Sequence, residues 1–489
     1  MFHNLNHKLI LRIIGSLLLF EGLFLFLSSL VALIYKEDVF YHFLIATAIS
    51  ELLGVSLFFV GRNASQEIGK REGSIVVTFI WLIFTFIGLL PHWLSGYIPS
   101  FTDAFFETMS GFTTTGASIL TDVESLPYSL LFWRSLTHWI GGLGIIAISI
   151  ALLPIFGFSA AQLFLAEATG PTQDKIHPRT TEVAKRLLGI YLALTLAEVL
   201  LLVTAGMNWF DAVTHSFGTI ATGGFSTKQA SIAYWSSPAI QYIIILFMFF
   251  GGVNFPLFYF LIKRKFNRIK ENEELRFFIF IILTFTFLIG IATFDFTHLS
   301  DGANYESTFR NSLFTVVSVI TTTGFSTVDY MNFAPFVWLL LMILMVTGSS
   351  AGSTAGGIKL IRIQIAMKFI YFRIKKIVHP NAVFPIKYNN QIMKNDIIMR
   401  VLAFILLYIF LIVVGSVILA VSGIGFLESI GCVISCMGNV GVAFGEFGPS
   451  IGFSGLSIFA KWFLSAMMLI GRLELFTVFL LFTPIFWKK

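Results

Sequence analysis

The sequence predicts an all-α polytopic membrane protein. It is made of four pseudo-repeated units, each a span, a half-helix, a Gly-rich loop and a second span, preceded by an N-terminal pair of transmembrane helices. Three observations predict this. Only 12% of the 489 residues are charged, against 56% hydrophobic, and the mean hydropathy is +0.86. Soluble chains average about 25% charged residues, so this one has too few to cover a water-facing surface. Ten apolar runs come close to the roughly 20 residues needed to cross a bilayer. Finally, one hydroxyl-and-glycine phrase recurs, as TTTGAS at 113–118, ATGGFST at 221–227 and TTTGFST at 321–327.

The spans are expected at 9–34, 40–61, 74–97, 129–153, 185–206, 236–262, 276–294, 334–358, 396–422 and 456–483. The first follows Lys8 and Arg12, but it exceeds the apolar core of a signal peptide, about 7–15 residues, and is expected to stay as a span. Shorter apolar stretches lie near 102–112, 210–220, 308–320 and 427–437. They are too short to cross and suit re-entrant half-helices.

Counting exposes the repeat. Asp103 in FTDA precedes Gly116 by thirteen residues, and Asp211 in WFDA precedes Gly224 by the same distance. Asn311 in FRNS and Gly324 keep that offset, as do Glu428 in FLES and Gly441. The last pair reveals a fourth copy of the phrase, GNVG at 438–441. The repeated Asp, Asn or Glu is expected at the start of its half-helix, where an oxygen caps free N–H groups and opposes the dipole. The chain then divides into an N-terminal two-helix extension (1–73) and four repeats. These are 74–153, 154–262 with its preceding loop, 263–375 with an interrupted second span, and 376–489.

Lys and Arg set the orientation. Most of the 32 fall in the N-terminus, 61–74, 154–186, 263–276, 366–400 and the terminal WKK. Basic loops stay cytoplasmic, so both termini are expected inside and all four phrases toward the outside. The net charge of +6 is thereby a topology signal and not one for nucleic acid. The outer segments carry Asp122, Glu124, Asp295, Asp301, Glu306, Asp329 and Glu446, which would concentrate cations. Cys432 and Cys436, four apart in an apolar stretch, read as small core residues. Glu21, Glu51 and Glu198 lie in apolar spans and are expected near helix ends or in helix–helix contacts.

Non-helical backbone survives at membrane depth only where protein buries it or where it lines a water-filled path. Four such strands around one pore would present rings of backbone carbonyls, which can replace the hydration shell of a potassium ion. Thr adds hydroxyl oxygens, and Gly permits the backbone angles.

With these units, TTTGAS, ATGGFST, TTTGFST and GNVG, the chain resembles the Trk/Ktr/HKT superfamily of potassium transporters over nearly its whole length. The extra N-terminal pair favours the TrkH/TrkG branch. The resemblance implies that filter strands lie at Thr113, Thr114, Thr115 and Gly116, at Ala221, Thr222, Gly223 and Gly224, at Thr321, Thr322, Thr323 and Gly324, and at Gly438, Asn439, Val440 and Gly441. Potassium, the transported ion, would be held around Thr114, Thr115, Thr222, Gly223, Thr322, Thr323, Asn439 and Val440. Ala221, Gly223, Asn439 and Val440 depart from the threonine pattern, so the ring is expected to be uneven. The resemblance also implies a homodimer in the bacterial cytoplasmic (inner) membrane, with a cytosolic nucleotide-binding subunit of the TrkA type. It implies no covalently bound cofactor. The chain shows no nucleotide-binding motif of its own.

The second span of the third repeat contains TGSSAGSTAGGIK, 347–359. Glycine costs about 1 kcal/mol relative to alanine in a helix, so this stretch either packs closely through small residues or breaks. The resemblance implies a break, an intramembrane gate of Gly348, Ser349, Ser350, Ala351, Gly352, Ser353, Thr354, Ala355, Gly356 and Gly357, followed by Lys359. Arg472 in LIGRLELF is a charge within the last span, where charges are costly and usually functional or paired. It is expected either in a local pair with Glu474 or another acid, or facing the pore below the filter, where it would repel cations or hold the 347–357 loop. A proton- or sodium-coupled transporter with alternating access is the alternative, although such proteins usually show two inverted repeats. A membrane-embedded enzyme would need convergent Asp, His or Glu residues such as H-E-x-x-H, which the sequence lacks.

Overall fold

The computed structural model describes residues 5–64, 70–152, 180–294, 302–382, 384–389 and 391–487. Of the basic and acidic positions named above, those within 153–179, Asp295, Asp301, Lys488 and Lys489 lie outside the described residues. The protein is an all-α polytopic membrane protein with internal pseudo-repeats. A two-stranded ribbon, Lys387–Tyr388 against Gln391–Ile392, is a small addition.

Helix His7–Tyr35 turns at Lys36, whose backbone is left-handed, into Phe40–Val60. Glycines let this pair lie close. A Cβ on Gly54 would stand 3.0 Å from the Gly15 carbonyl oxygen, and one on Gly15 would stand 2.6 Å from that of Gly54. Lipid tails are as apolar as leucine, so helices in a membrane associate by such close packing and not by hydrophobic exclusion.

Each repeat opens with an outer helix: Lys70–Gly88, Thr180–Thr204, Glu273–Thr293 and Asn395–Val421. The half-helices follow: Phe101–Phe112, Trp209–Ile220, Gly302–Ile320 and Phe426–Gly438. The third is longer than expected, at 19 residues, so Asn311 lies inside it and not at its start. The capping assignment also needs correcting. Ser100 Oγ accepts the Asp103 N–H at 3.3 Å, and Asn208 Oδ1 accepts that of Asp211 at 2.8 Å. Asp103, Asp211 and Glu428 occupy the third helical position, where a carboxylate still opposes the dipole while its side chain is free to reach elsewhere.

The inner spans differ most from expectation, because all four are broken. Tyr128–Leu152 is kinked at Gly144, with φ 63°. Pro238–Gly252 meets Phe255–Ile262 at 102°, and Ile458–Arg472 meets Leu475–Leu481 at 114°. Pro335–Val346 ends before the non-helical 347–359 segment, and Leu360–Val378 continues beyond it. Among the described residues, six helices are long and apolar enough to cross a membrane, or up to eight if each bent pair is one span. Of the ten expected spans, only the second span of the third repeat was expected to be interrupted; the breaks in the other three inner spans are the difference. The cause lies in the glycines at the breaks. Gly141 packs on the Phe112 carbonyl and Gly471 on that of Met437, and a Cβ on Gly251 would stand 3.3 Å from the Ile220 and Thr219 carbonyls. Each inner helix breaks where it passes the end of its own half-helix or of a neighbour's, and protein buries the freed backbone, as lipid would not allow otherwise.

Gly54→Leu should lower the apparent melting midpoint in detergent by the equivalent of about 1–3 kcal/mol, the usual cost of overpacking. Lipid-facing Ser56→Leu is the control and should leave the midpoint unchanged.

Candidate functional site

The four Gly-rich strands share one backbone conformation. Their second residues, Thr114, Thr222, Thr322 and Asn439, are left-handed, with φ of 51°, 54°, 57° and 55°. Their closing glycines, Gly116, Gly224, Gly324 and Gly441, have φ of 79°, 82°, 80° and 85°. The third residue of each donates its N–H back into the half-helix. Thr115 bonds to Ser110 O at 2.9 Å, Gly223 to Gly218 O at 2.8 Å, Thr323 to Ser318 O at 2.9 Å and Val440 to Ser435 O at 2.9 Å. This is the Schellman way of ending a helix, with a left-handed residue at its turn. Threonine there costs about 1–2 kcal/mol, whereas the asparagine of the fourth strand adopts the conformation more readily.

The strands close on one another. A Cβ on Gly116 would collide with Gly223 O, one on Gly224 with Thr323 O, one on Gly324 with Val440 O, and one on Gly441 with Thr115 O. Contact thus runs from the first strand to the second, third and fourth and back to the first. Threonine hydroxyls serve mainly as scaffold. Thr113 and Thr115 bond to each other at 2.8 Å, as do Thr321 and Thr323, and Thr113 Oγ1 also donates to Met109 O at 2.7 Å. Asn439 Nδ2 donates to Thr115 Oγ1 at 2.9 Å and ties the fourth strand to the first.

The broken third inner span places its loop against the starts of these strands. Gly356 N–H donates to Thr322 Oγ1 at 2.8 Å. Thr354 Oγ1 lies 3.3 Å from Thr222 Oγ1 and donates to Ile220 O at 2.9 Å. Gly356 packs on Gly438 O, leaving no room for a Cβ. The loop's neck is closed by backbone bonds from Gly348 to Ile358 O at 2.9 Å and from Ile358 to Val346 O at 3.0 Å. Lys359 Nζ donates to Ala355 O within the loop. Arg472 Nη1 donates to Thr354 O at 2.7 Å, and Nη2 donates to Gly141 O of the first inner helix.

This arrangement has known counterparts. A family model described as TrkH, cation transport protein, matches residues 39–489. The chain belongs to the TrkH family. The Trk system potassium uptake protein TrkH of Salmonella typhimurium is 38% identical over 489 residues, covering 99% of this chain and 100% of that protein. The Trk system potassium uptake protein TrkG of Escherichia coli is 32% identical, with 99% and 100% covered. The crystal structure of the potassium transporter TrkH from Vibrio parahaemolyticus matches with a TM-score of 0.88 at 34% identity, covering 99% of this chain and 100% of that one.

In this TrkH-family chain the repeated acid has a role that counting residues did not reveal. It spans the loop after the strand: Asp211 Oδ1 accepts from Thr227 Oγ1 at 2.6 Å, and Asn311 Oδ1 from Thr327 Oγ1 at 3.3 Å. Asp103 instead pairs with Lys461 of the fourth repeat at 2.6 Å. The most heavily used support is the buried pair Glu107–Arg134. Arg134 Nε and Nη2 reach Glu107 Oε1 at 2.9 and 2.7 Å, while Glu107 Oε2 accepts from Ile119 N–H at 2.9 Å. Arg134 also donates to Ser226 O at 3.2 Å and lies over the Phe225 ring. Arg134 lies within the expected span 129–153, and nothing in its spacing marks the pair.

Among the described residues Glu474, the local partner expected for Arg472, bonds to Arg362 at 2.7 Å, and the chain turns sharply at Glu474, φ 56°. Glu21 and Glu198 are fully buried inside their helices, and Glu51 lies beside Gly22 where the N-terminal pair meets. Cys432 and Cys436 are buried and unbonded.

Breaking a buried ion pair by removing one partner costs about 3–5 kcal/mol. Glu107→Ala should accordingly be among the most destabilising single substitutions near the ring, read as a large drop in melting midpoint. A midpoint within a degree or so of wild type would mean that the pair does not hold the strands.

Proposed function

We propose that this chain is the ion-conducting membrane subunit of a potassium uptake system. The single observation that carries this reading is the closed ring of four strands with matching backbone angles. In this reading the backbone carbonyls of Thr114, Thr115, Thr222, Gly223, Thr322, Thr323, Asn439 and Val440 face the axis and replace the water around potassium. The N–H groups of Thr115, Gly223, Thr323 and Val440 are committed to the half-helices behind them, which turns the carbonyls of Thr114, Thr222, Thr322 and Asn439, in the same peptide planes, the other way. The relatives' printed names point to the same ion.

The 347–357 loop is the gate. It bonds to the starts of the second and third strands and packs on the start of the fourth, so an ion leaving the ring meets it. Arg472 fastens the loop to the first repeat and sets a positive charge beside the path. On the other side, Arg134, Lys228, Arg310 and Lys461 each pair with an acid. Asp122 and Glu446 remain exposed to attract cations. The chain sits in the bacterial inner membrane with its basic loops and both termini cytoplasmic. It works as a homodimer with a cytosolic nucleotide-binding subunit; the word "system" in the relatives' names supports a further component. Four units of one order do not favour alternating access between two inverted halves.

Cation flux into proteoliposomes tests the ring. Wild type should pass potassium and rubidium better than sodium. Gly324→Ser places a side chain against Val440 O and should lose that preference. Robust flux with unchanged selectivity in the variant would sink the filter assignment.

Arg472→Ala removes two hydrogen bonds from a charged donor, each worth about 1.5–3 kcal/mol. Cation leak should rise roughly tenfold or more, and unchanged leak would remove Arg472 from the gate.

A further inference from the structure

The loop is held from a second side by a residue that neither the ring nor Arg472 requires. Glu274, in the first turn of the third outer helix, is 3% exposed. Its Oε1 accepts two backbone N–H groups, from Ala351 inside the loop at 2.7 Å and from Ile361 just beyond it at 3.1 Å. Ile361 is the second residue of helix Leu360–Val378, whose N-cap, Lys359, makes no side-chain capping bond. Glu274 thus caps that helix from another part of the chain and pins the loop to it with the same oxygen. A carboxylate suits this place because the helix start carries both free N–H groups and the positive end of the dipole.

The preceding residue grips the polar surface. Glu273 exchanges two bonds with Asn389, its N–H to Asn389 Oδ1 at 2.9 Å and its Oε1 from the Asn389 N–H at 3.0 Å. Its Oε2 pairs with Lys368, which also donates to Lys387 O at 2.8 Å. Gln364 donates to Glu273 O at 3.2 Å and accepts from Tyr388 OH at 3.1 Å. Two adjacent residues of one helical turn therefore hold the ribbon that begins at Lys387 and the intramembrane loop.

We infer that Glu274 is the positioning residue of the 347–357 loop, and that the Glu273–Asn389 contact joins the ribbon of Lys387–Tyr388 and Gln391–Ile392 to it, so that force on the ribbon reaches the loop through one helical turn. This rests on the reading of the loop as the gate. Neither the ring geometry nor the family match assigns a role to this pair.

The test is the rate at which a charged methanethiosulfonate modifies a cysteine introduced at Ser353, a half-buried loop position, in the full-length protein in liposomes. Native Cys432 and Cys436 are buried, and protein without Ser353→Cys gives the background. Losing bonds to a charged acceptor shifts an open–closed equilibrium by roughly tenfold, so Glu274→Ala should raise the rate by about that factor. Glu274→Gln keeps an acceptor oxygen in place and should stay within about twofold of the parent rate. Asn389→Ala, which leaves Glu274 intact, should raise the rate by a smaller factor. Should Glu274→Ala not yield folded protein, Glu274→Asp serves, since it keeps the charge but shortens the reach and should also raise the rate.

An unchanged rate in a folded Glu274→Ala or Glu274→Asp protein overturns the inference. Equal rises in Ala and Gln also overturn it, because the acceptor would then not be the cause. An unchanged rate in Asn389→Ala removes the ribbon from the linkage. Cation flux measured on the same liposomes separates the two readings. A loop that loosens while flux stays constant keeps Glu274 as its tether and refutes the loop as the gate.

Discussion

Four amide hydrogens organise this molecule. Those of Thr115, Gly223, Thr323 and Val440 each bond to a carbonyl five residues back in a half-helix. A peptide group is planar, so fixing where the N–H points also fixes where the C=O points. The left-handed residue before each bond and the positive-φ glycine after it follow from that turn. In lipid no water is at hand to take a bond the protein leaves unmade. The half-helices supply the acceptors for these four N–H groups, and their placement constrains the rest of the chain.

The broken inner helices follow from the same demand. A helix passing the end of a half-helix has to come close enough to seal it, and only glycine permits that approach. The first two inner helices carry glycine pairs there, Gly141–Gly142 and Gly251–Gly252. Gly142 faces Ala221 and Gly252 faces Thr321, each in the following repeat. The fourth inner helix carries Gly471 followed by Arg472. Arginine stands where the first two inner helices have their second glycine, and it reaches across to Gly141 O and Thr354 O. The seal between the fourth and first repeats is thus made by a long side chain in place of close backbone packing.

Much of this was legible in the chain, and the limits have physical causes. Hydropathy marks the outer helices and the N-terminal pair because a helix facing lipid must be apolar along its length. The thirteen-residue offset marks the strands because a short helix and a tight turn tolerate no insertion. The breaks at 252–255 and 472–475 were missed because the helices on either side are apolar enough to outweigh Asn254, Arg472 and Glu474, and hydropathy is blind to direction. Asn311 was misplaced because the third half-helix extends outward with polar residues that no span would carry. Arg472 and Glu474 are neighbours in sequence, yet Glu474 bonds to Arg362, a residue 112 positions away that no spacing could point to. Glu107, Arg134 and Glu274 left no signal at all, since a single acid or base has no periodicity and its partners are distant in sequence.

One feature of the ring bears on how it can vary. A channel assembled from four identical chains receives every substitution four times over, so a change must suit all four quadrants at once. Here each quadrant is written separately in a single polypeptide. Asn439 can bridge to Thr115 in one corner while Thr322 receives the loop in another, and Val440 can stand where its counterparts are Thr or Gly. Symmetry is kept in the backbone, where the axis needs it, and given up in the side chains. A single heritable change is therefore felt by one quarter of the ring, which lets such a ring be adjusted by small steps.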